Sequence, residues 1–141
     1  MATINASVTI NSDIMGGTAN ISKSMTMTKF GTSVGLENTS GLNAKTVQST
    51  TAFKLFDHSD GDPAKRASKV YIRNTGSSST DFFYIGFGED LAAATIETIG
   101  RLYGGNWMLI PWDAVNASTH DIYAKSSTVE TMTLEFMAFI D

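Results

Sequence analysis

His58 and His120 are the only side chains in this 141-residue chain with an ordinary titration range near neutral pH, since cysteine is absent. His58 stands inside the acidic turn Asp57-His58-Ser59-Asp60-Gly61-Asp62-Pro63, and His120 precedes Asp121. Neither lies at a spacing that makes a metal pair or a nucleophile–base signature. A Ser-His-Asp set is assembled by the fold rather than by the sequence, and nothing in the spacing promotes one here. Asp57, Asp60 and Asp62 offer the oxygen ligands that calcium prefers. Counting from Asp57, however, Ser68 occupies the place where a calcium loop needs a bidentate glutamate, so a solvated turn is expected. Gly86-Phe87-Gly88 and Gly104-Gly105 lack the lysine and the strand–loop–helix setting of a phosphate loop, and read as turns. The lack of cysteine removes thiol catalysis, disulfides and cysteine-based zinc sites together. The expectation is a protein that is not an enzyme, with no catalytic residue, no cofactor and no metal.

Recognition chemistry is better represented. Phe82, Phe83, Tyr84 and Phe87 cluster in the sequence, as do Tyr103, Trp107 and Trp112. In an extended chain Trp107 and Leu109 point one way while Met108, Ile110 and Trp112 point the other, so both faces of this segment are apolar. One face can enter a core. The other needs a loop, a ligand or a second subunit to cover it, because large apolar patches are rarely left in water. Phe82, Tyr84, Tyr103, Trp107 and Trp112 are the candidate interface residues. Burial inside the monomer is an equal alternative, and an exposed Tyr103, Trp107 and Trp112 would make a sugar platform.

The elements that must position these residues are strands. The chain holds 18 Thr and 15 Ser, with 42% hydrophobic and only 17% charged residues. β-Branched, uncharged polar composition of this kind favours pleated sheets over helices. Alternation of Ile4, Ala6, Val8 and Ile10 predicts a half-buried strand, and Ile21, Met25 and Met27 predict a second. Residues 31–45 read as a long loop or weak edge hairpin. Further strands are expected at 47–56, 69–75, 82–87, 96–103, 106–111, 120–125 and 131–140, with 69–75 and 82–87 forming a hairpin. The run Leu91-Ala92-Ala93-Ala94 allows one or two helical turns. In the last strand Met132, Leu134, Phe136, Ala138 and Ile140 share one face. About nine short antiparallel strands with long loops define an all-β protein, a β-sandwich or jelly roll, as one domain over residues 1–141 with 1–20 as a candidate N-terminal arm.

A net charge of −4 argues against nucleic acid as a partner. Lys65, Arg66, Lys69 and Arg73 are offset by the nearby Asp57, Asp60 and Asp62. No apolar run approaches the roughly 20 residues of a spanning helix, so no membrane partner is expected.

The runs Lys69-Val70-Tyr71-Ile72-Arg73-Asn74-Thr75, Ile99-Gly100-Arg101-Leu102-Tyr103-Gly104-Gly105-Asn106-Trp107, Ile110-Pro111-Trp112, Asp121-Ile122-Tyr123-Ala124-Lys125 and Leu134-Glu135-Phe136-Met137 resemble small virion proteins of tailed bacteriophages, especially those of marine or cyanobacterial hosts. The resemblance covers about the C-terminal half. It implies a non-enzymatic virion structural protein without a cofactor. A capsid decoration or cement protein on the outer capsid surface is favoured, with the major capsid protein or other virion subunits as partners and a homotrimer as its oligomer. A neck, tail or fibre component, or a carbohydrate-binding module using Tyr103, Trp107 and Trp112, is the alternative.

Overall fold

The structure, a computed structural model, describes residues 4–12, 19–28, 32–36, 38–58, 67–88, 97–112 and 120–140. The expected helical turns at 91–94 lie outside these residues. The chain divides between Asn38 and Thr39 into two compact units.

In the first unit, β1 (Asn5–Ser12) and β2 (Ala19–Thr26) form an antiparallel hairpin running from Asn5↔Thr26 to Ser12↔Ala19. Directly opposed residues share a face. Asn5, Ser7 and Thr9 therefore line one side with Thr26, Ser24 and Ser22, where Thr26 Oγ1 donates to Asn5 Oδ1 at 2.8 Å. Ala6, Val8 and Ile10 line the other with Met25, Lys23 and Ile21. The expected half-burial of that apolar side is not found: Ile10 is 53% and Ile21 51% exposed. Alternation sorts side chains onto two faces, but burial needs a second layer, and within this unit no other sheet is present among the described residues. The expected arm limit at residue 20 falls inside β2.

β3 (Asn38–Thr39) spans the boundary between the units, and the second unit holds β4 (Asn43–Val47), β5 (Phe53–Phe56), β6 (Ala67–Asn74), β7 (Phe82–Gly88), β8 (Glu97–Tyr103), β9 (Trp107–Pro111), β10 (Asp121–Ser126) and β11 (Met132–Ile140). One sheet has the order β5-β10-β7-β8; the other runs β3-β11-β6-β9, with β4 also on β11. The antiparallel pairs β7·β8, β6·β9, β5·β10 and β4·β11 are nested one outside another. From β4 onward each successive strand changes sheet except at the step from β7 to β8. A four-stranded and a five-stranded sheet wound from one long nested hairpin are a jelly roll, a β-sandwich in which both open sheets bury one face.

This winding corrects three local expectations. Residues 47–56 are two strands in opposite sheets, because the chain crosses over at an ST turn in which Thr51 N donates to Ser49 Oγ at 3.0 Å. Residues 31–45 contribute β3 and β4, which run along one edge of β11 around Ser40 and Gly41. Ser40 N bonds Ala138 O at 2.9 Å and Ser40 Oγ accepts from Ala138 N at 2.8 Å. The segments near 69–75 and 82–87 are not a hairpin: β6 pairs with β11 and β9, and β7 with β10 and β8. Loop composition does not say which sheet the chain enters next.

Both sheets feed one core. Val70, Ile72, Leu134 and Ala138 meet Phe83, Ile85, Leu102, Ile122 and Ala124 there, with Phe136 and Ile140 partly buried against them. The β11 face expected from alternation is thus the core face, each full side chain contributing about 1.5–3 kcal/mol of burial. At one end of the sandwich the fully buried Asn74 ties the layers together. Its Nδ2 donates to Leu102 O at 2.9 Å, its Oδ1 accepts from Gly76 N at 3.0 Å, and its main chain bonds Asn106 and Gly105. The turn it holds needs glycine twice. Gly105 has φ +80°, and a Cβ on Gly104 would lie 2.5–2.7 Å from the Ser77–Ser78 main chain.

Candidate interaction surfaces

Of the five candidate interface residues, the fold brings three together. Phe82 and Tyr84 on β7 and Tyr103 on β8 project from the outer face of their sheet, since Phe83 and Leu102 between them enter the core. Phe82 and Tyr84 meet edge to face with centroids 4.8 Å apart, and Phe82 and Tyr103 lie at 5.0 Å. Arg101, opposite Tyr84, stacks its guanidinium 4.8 Å from the Phe82 ring and 5.3 Å from the Tyr84 ring. A register shift between Ile85 and Gly86 skips Ile99, a bulge that leaves Ile99 exposed beside this cluster. Two hydrogen bonds tie down the base of the cluster. Phe82 N donates to Ser127 Oγ at 3.0 Å, and Ser127 N returns a bond to Phe82 O at 2.9 Å. Tyrosine and arginine in this setting are the residue types that dominate protein interfaces.

The other two candidates are elsewhere. Trp107 is 51% exposed on the outer face of the opposite sheet, its ring 6.5 Å from Tyr71 and its strand position opposite Arg73. Trp112 is 3% exposed and belongs to the core: its ring packs 5.5 Å from Phe56 and its Nε1 donates to His120 O at 2.7 Å. Trp112 is therefore withdrawn as an interface residue. The Tyr103, Trp107 and Trp112 sugar platform is withdrawn with it, because these side chains occupy one outer face, the opposite outer face and the interior. Their sequence proximity misleads, since the Gly104–Gly105 turn carries the chain from one sheet to the other.

The apolar face of the β1–β2 hairpin is a second surface, carrying Val8, Ile10, Ile21 and Met25 as exposed side chains around Lys23. On the opposite face Thr26 bonds Asn5 and Thr9 lies 3.3 Å from Ser22 through their hydroxyls, which leaves the apolar side as the one that gains most by contact.

The polar residues singled out for chemistry form a charge cluster instead. Asp121, fully buried, accepts from His58 N at 2.8 Å and lies 2.7 Å from His58 Nδ1 through Oδ1. Lys54 Nζ is 2.6 Å from Asp121 Oδ2, off the line of a hydrogen bond, and 2.7 Å from Asp57 Oδ2. Burial pushes the Asp121 carboxyl up, but the Lys54 ammonium and the two His58 contacts outweigh it and hold it below the usual carboxylate range. The same pairing, with Asp121 first and Asp57 second, raises Lys54. Ligand-type atoms of Asp57, His58 and Asp121 converge within 4.8 Å. The place a cation would take is held by the ammonium, so the cluster is a structural ion network rather than a metal centre. Asp60 and Asp62 lie outside the described residues.

Sequence reasoning passed over one pattern. Gly31-Thr32-Ser33-Val34-Gly35 has the letters of a Gly-x-Ser-x-Gly nucleophile elbow. The described part lacks the strand-to-helix setting: residues 32–34 are exposed bends, Val34 N donates to Thr32 Oγ1 at 3.1 Å, and Gly35 makes a lone bridge to Thr28. Reasoning from sequence also missed Arg101 as the partner of the aromatic cluster. Only the β7·β8 register places it there.

No protein-family model, curated protein or solved structure matches the chain.

Proposed function

We propose that this chain is a non-enzymatic structural protein of a tailed-bacteriophage virion, a capsid decoration protein that sits on the outer shell as a homotrimer and bridges neighbouring capsid subunits. The observation that carries the reading is the amphipathic hairpin. A two-stranded hairpin is marginal by itself in water, and this one turns four large apolar side chains outward. Contact with a shell subunit supplies the missing layer and orders the hairpin at the same time. The jelly roll supports the reading as a fold-level analogy, since capsid domains use it, as do lectin domains and cupins. The resemblance of the C-terminal half supports the class of protein. Each hairpin contributes a modest contact, and repetition over a lattice raises the effective affinity.

Mass spectrometry of purified particles should find the chain at stoichiometric copy number, and the full chain should cosediment with capsid shells that lack it. Replacing both Ile10 and Ile21 by Glu places two carboxylates in an apolar contact and should weaken shell binding about 100-fold, which corresponds to roughly 3 kcal/mol. The melting of the sandwich should not change. Particles free of the chain, or a double variant that binds as well as the parent, would overturn the proposal.

A further inference from the structure

We infer that the outer face of β7, β8 and β10 is a docking surface for an acidic segment of a partner protein, gripped by Arg101 and Lys125. The strand register makes one row of Lys125, Tyr84 and Arg101, with Tyr84 opposite both cations. Adjacent strands are about 4.8 Å apart, so the strand positions that carry the two positive charges stand about 10 Å from each other. Among the described residues neither cation forms an ion pair with a carboxylate. Asp121, on β10 with Lys125, and Asp57 are already engaged by Lys54. A local doubly positive row on a chain of net charge −4 is the charge complement of a carboxylate-bearing surface.

The packing of the rings selects among occupants. Single-stranded nucleic acid needs open ring faces on which bases stack. Here Arg101 covers Phe82 and Tyr84, and the edge-to-face contact of those two rings uses more of their surface. An apolar partner would strip water from two cations and return nothing. A second copy docking through the same patch about a two-fold axis would set cations against cations. Arg101 is also held before any partner arrives, stacked on two rings. A fixed guanidinium keeps its planar N–H edge for a bidentate carboxylate and loses little freedom on binding.

The inference rests on the assembly reading only in taking the partner to be a protein, and its test needs no virion. A fluorescently labelled short poly-Glu peptide is titrated into the full chain at low ionic strength, and amide shifts are mapped by NMR. Shifts at β7, β8 and β10 are expected, with binding weakened about tenfold or more by Arg101→Glu and by Lys125→Glu. Arg101→Lys should fall between parent and reversal, because it keeps the charge and loses the fork. Thermal melts identify any variant that has lost its fold, and Lys125→Glu, whose side chain lies outside the ring cluster, keeps the test open if Arg101→Glu does not fold. Shifts confined to other elements, unchanged binding in Lys125→Glu, tighter binding of an oligothymidylate of matched charge to this face, or self-association abolished by the reversals would overturn the inference. Failure here would leave the shell-binding experiment untouched.

Discussion

Replacing Asn74 by alanine tests how the two sheets are held at one end. The side chain is fully buried and makes two hydrogen bonds, to Leu102 O in the other sheet and from Gly76 N. Truncation removes the donor to Leu102 O and leaves that carbonyl short of a partner, a cost of about 1–3 kcal/mol for a buried polar group. Gly76 is exposed, so water replaces its lost acceptor and that bond contributes only about 0.5–1.5 kcal/mol. The sum is about 1.5–4.5 kcal/mol, or a drop in melting temperature of about 7–20 °C for a domain near 100 residues. Urea unfolding followed by tryptophan emission reads it directly, because Trp112 passes from the core to water while Trp107 is already half exposed. Asn74→Asp keeps the Oδ1 acceptor but sets a carboxylate against Leu102 O, and should be no better than alanine. An alanine variant within about 0.5 kcal/mol of the parent, inside the range of ordinary surface substitutions, would refute the assignment of Asn74 as the tie between sheets.

Three further outcomes follow from named contacts. Gly104→Ala drives a Cβ into the Ser77–Ser78 main chain and should destabilise by about 1–3 kcal/mol in thermal melts. Phe136→Ala, at a partly buried core position packed 5.4 Å from Phe56, should cost about 3 kcal/mol in denaturant melts, the low end for a phenylalanine. Asp121 has a folded-state pKa below its unfolded one, so its ionised form stabilises the fold above about pH 4 and that stability is lost as pH falls through the depressed value. Asp121→Asn should therefore be less stable than the parent at pH 7 and should lose less stability on acidification, which urea melts at pH 7 and pH 3 compare.

Much of the sandwich was legible because alternation is a local property. The face of β11 and the limits of β7, β9 and β10 can be read within a residue or two from the chain itself. Nested pairing is not local, and this is where expectation failed. Phe53 and Val47 look like one strand until the crossover sends them to different sheets, and Thr75 and Phe82 look like the ends of a hairpin for the same reason. The aromatic cluster was half legible. Phe82 and Tyr84 are neighbours on one strand face, but Arg101 reaches them only through pairing, and Trp112 was placed on a surface because its sequence neighbours are aromatic. Asp121 and Lys54, 67 positions apart by the numbering, left no trace in any spacing.

The nesting of β4·β11 around β5·β10, of that pair around β6·β9, and of all three around β7·β8 sets an order in time. Ile85 and Gly100 on the innermost pair can meet by closing a short loop. Once they have, each outer pair closes only a small additional loop rather than the full separation between its strands, and loop entropy grows slowly with added length. Folding should thus zip from the β7·β8 pair outward, with the two ends of the sandwich joined last where Val47 meets Met132. Kinetic measurements would show it: Ile85→Val should mainly slow folding, whereas Val47→Ala should mainly speed unfolding.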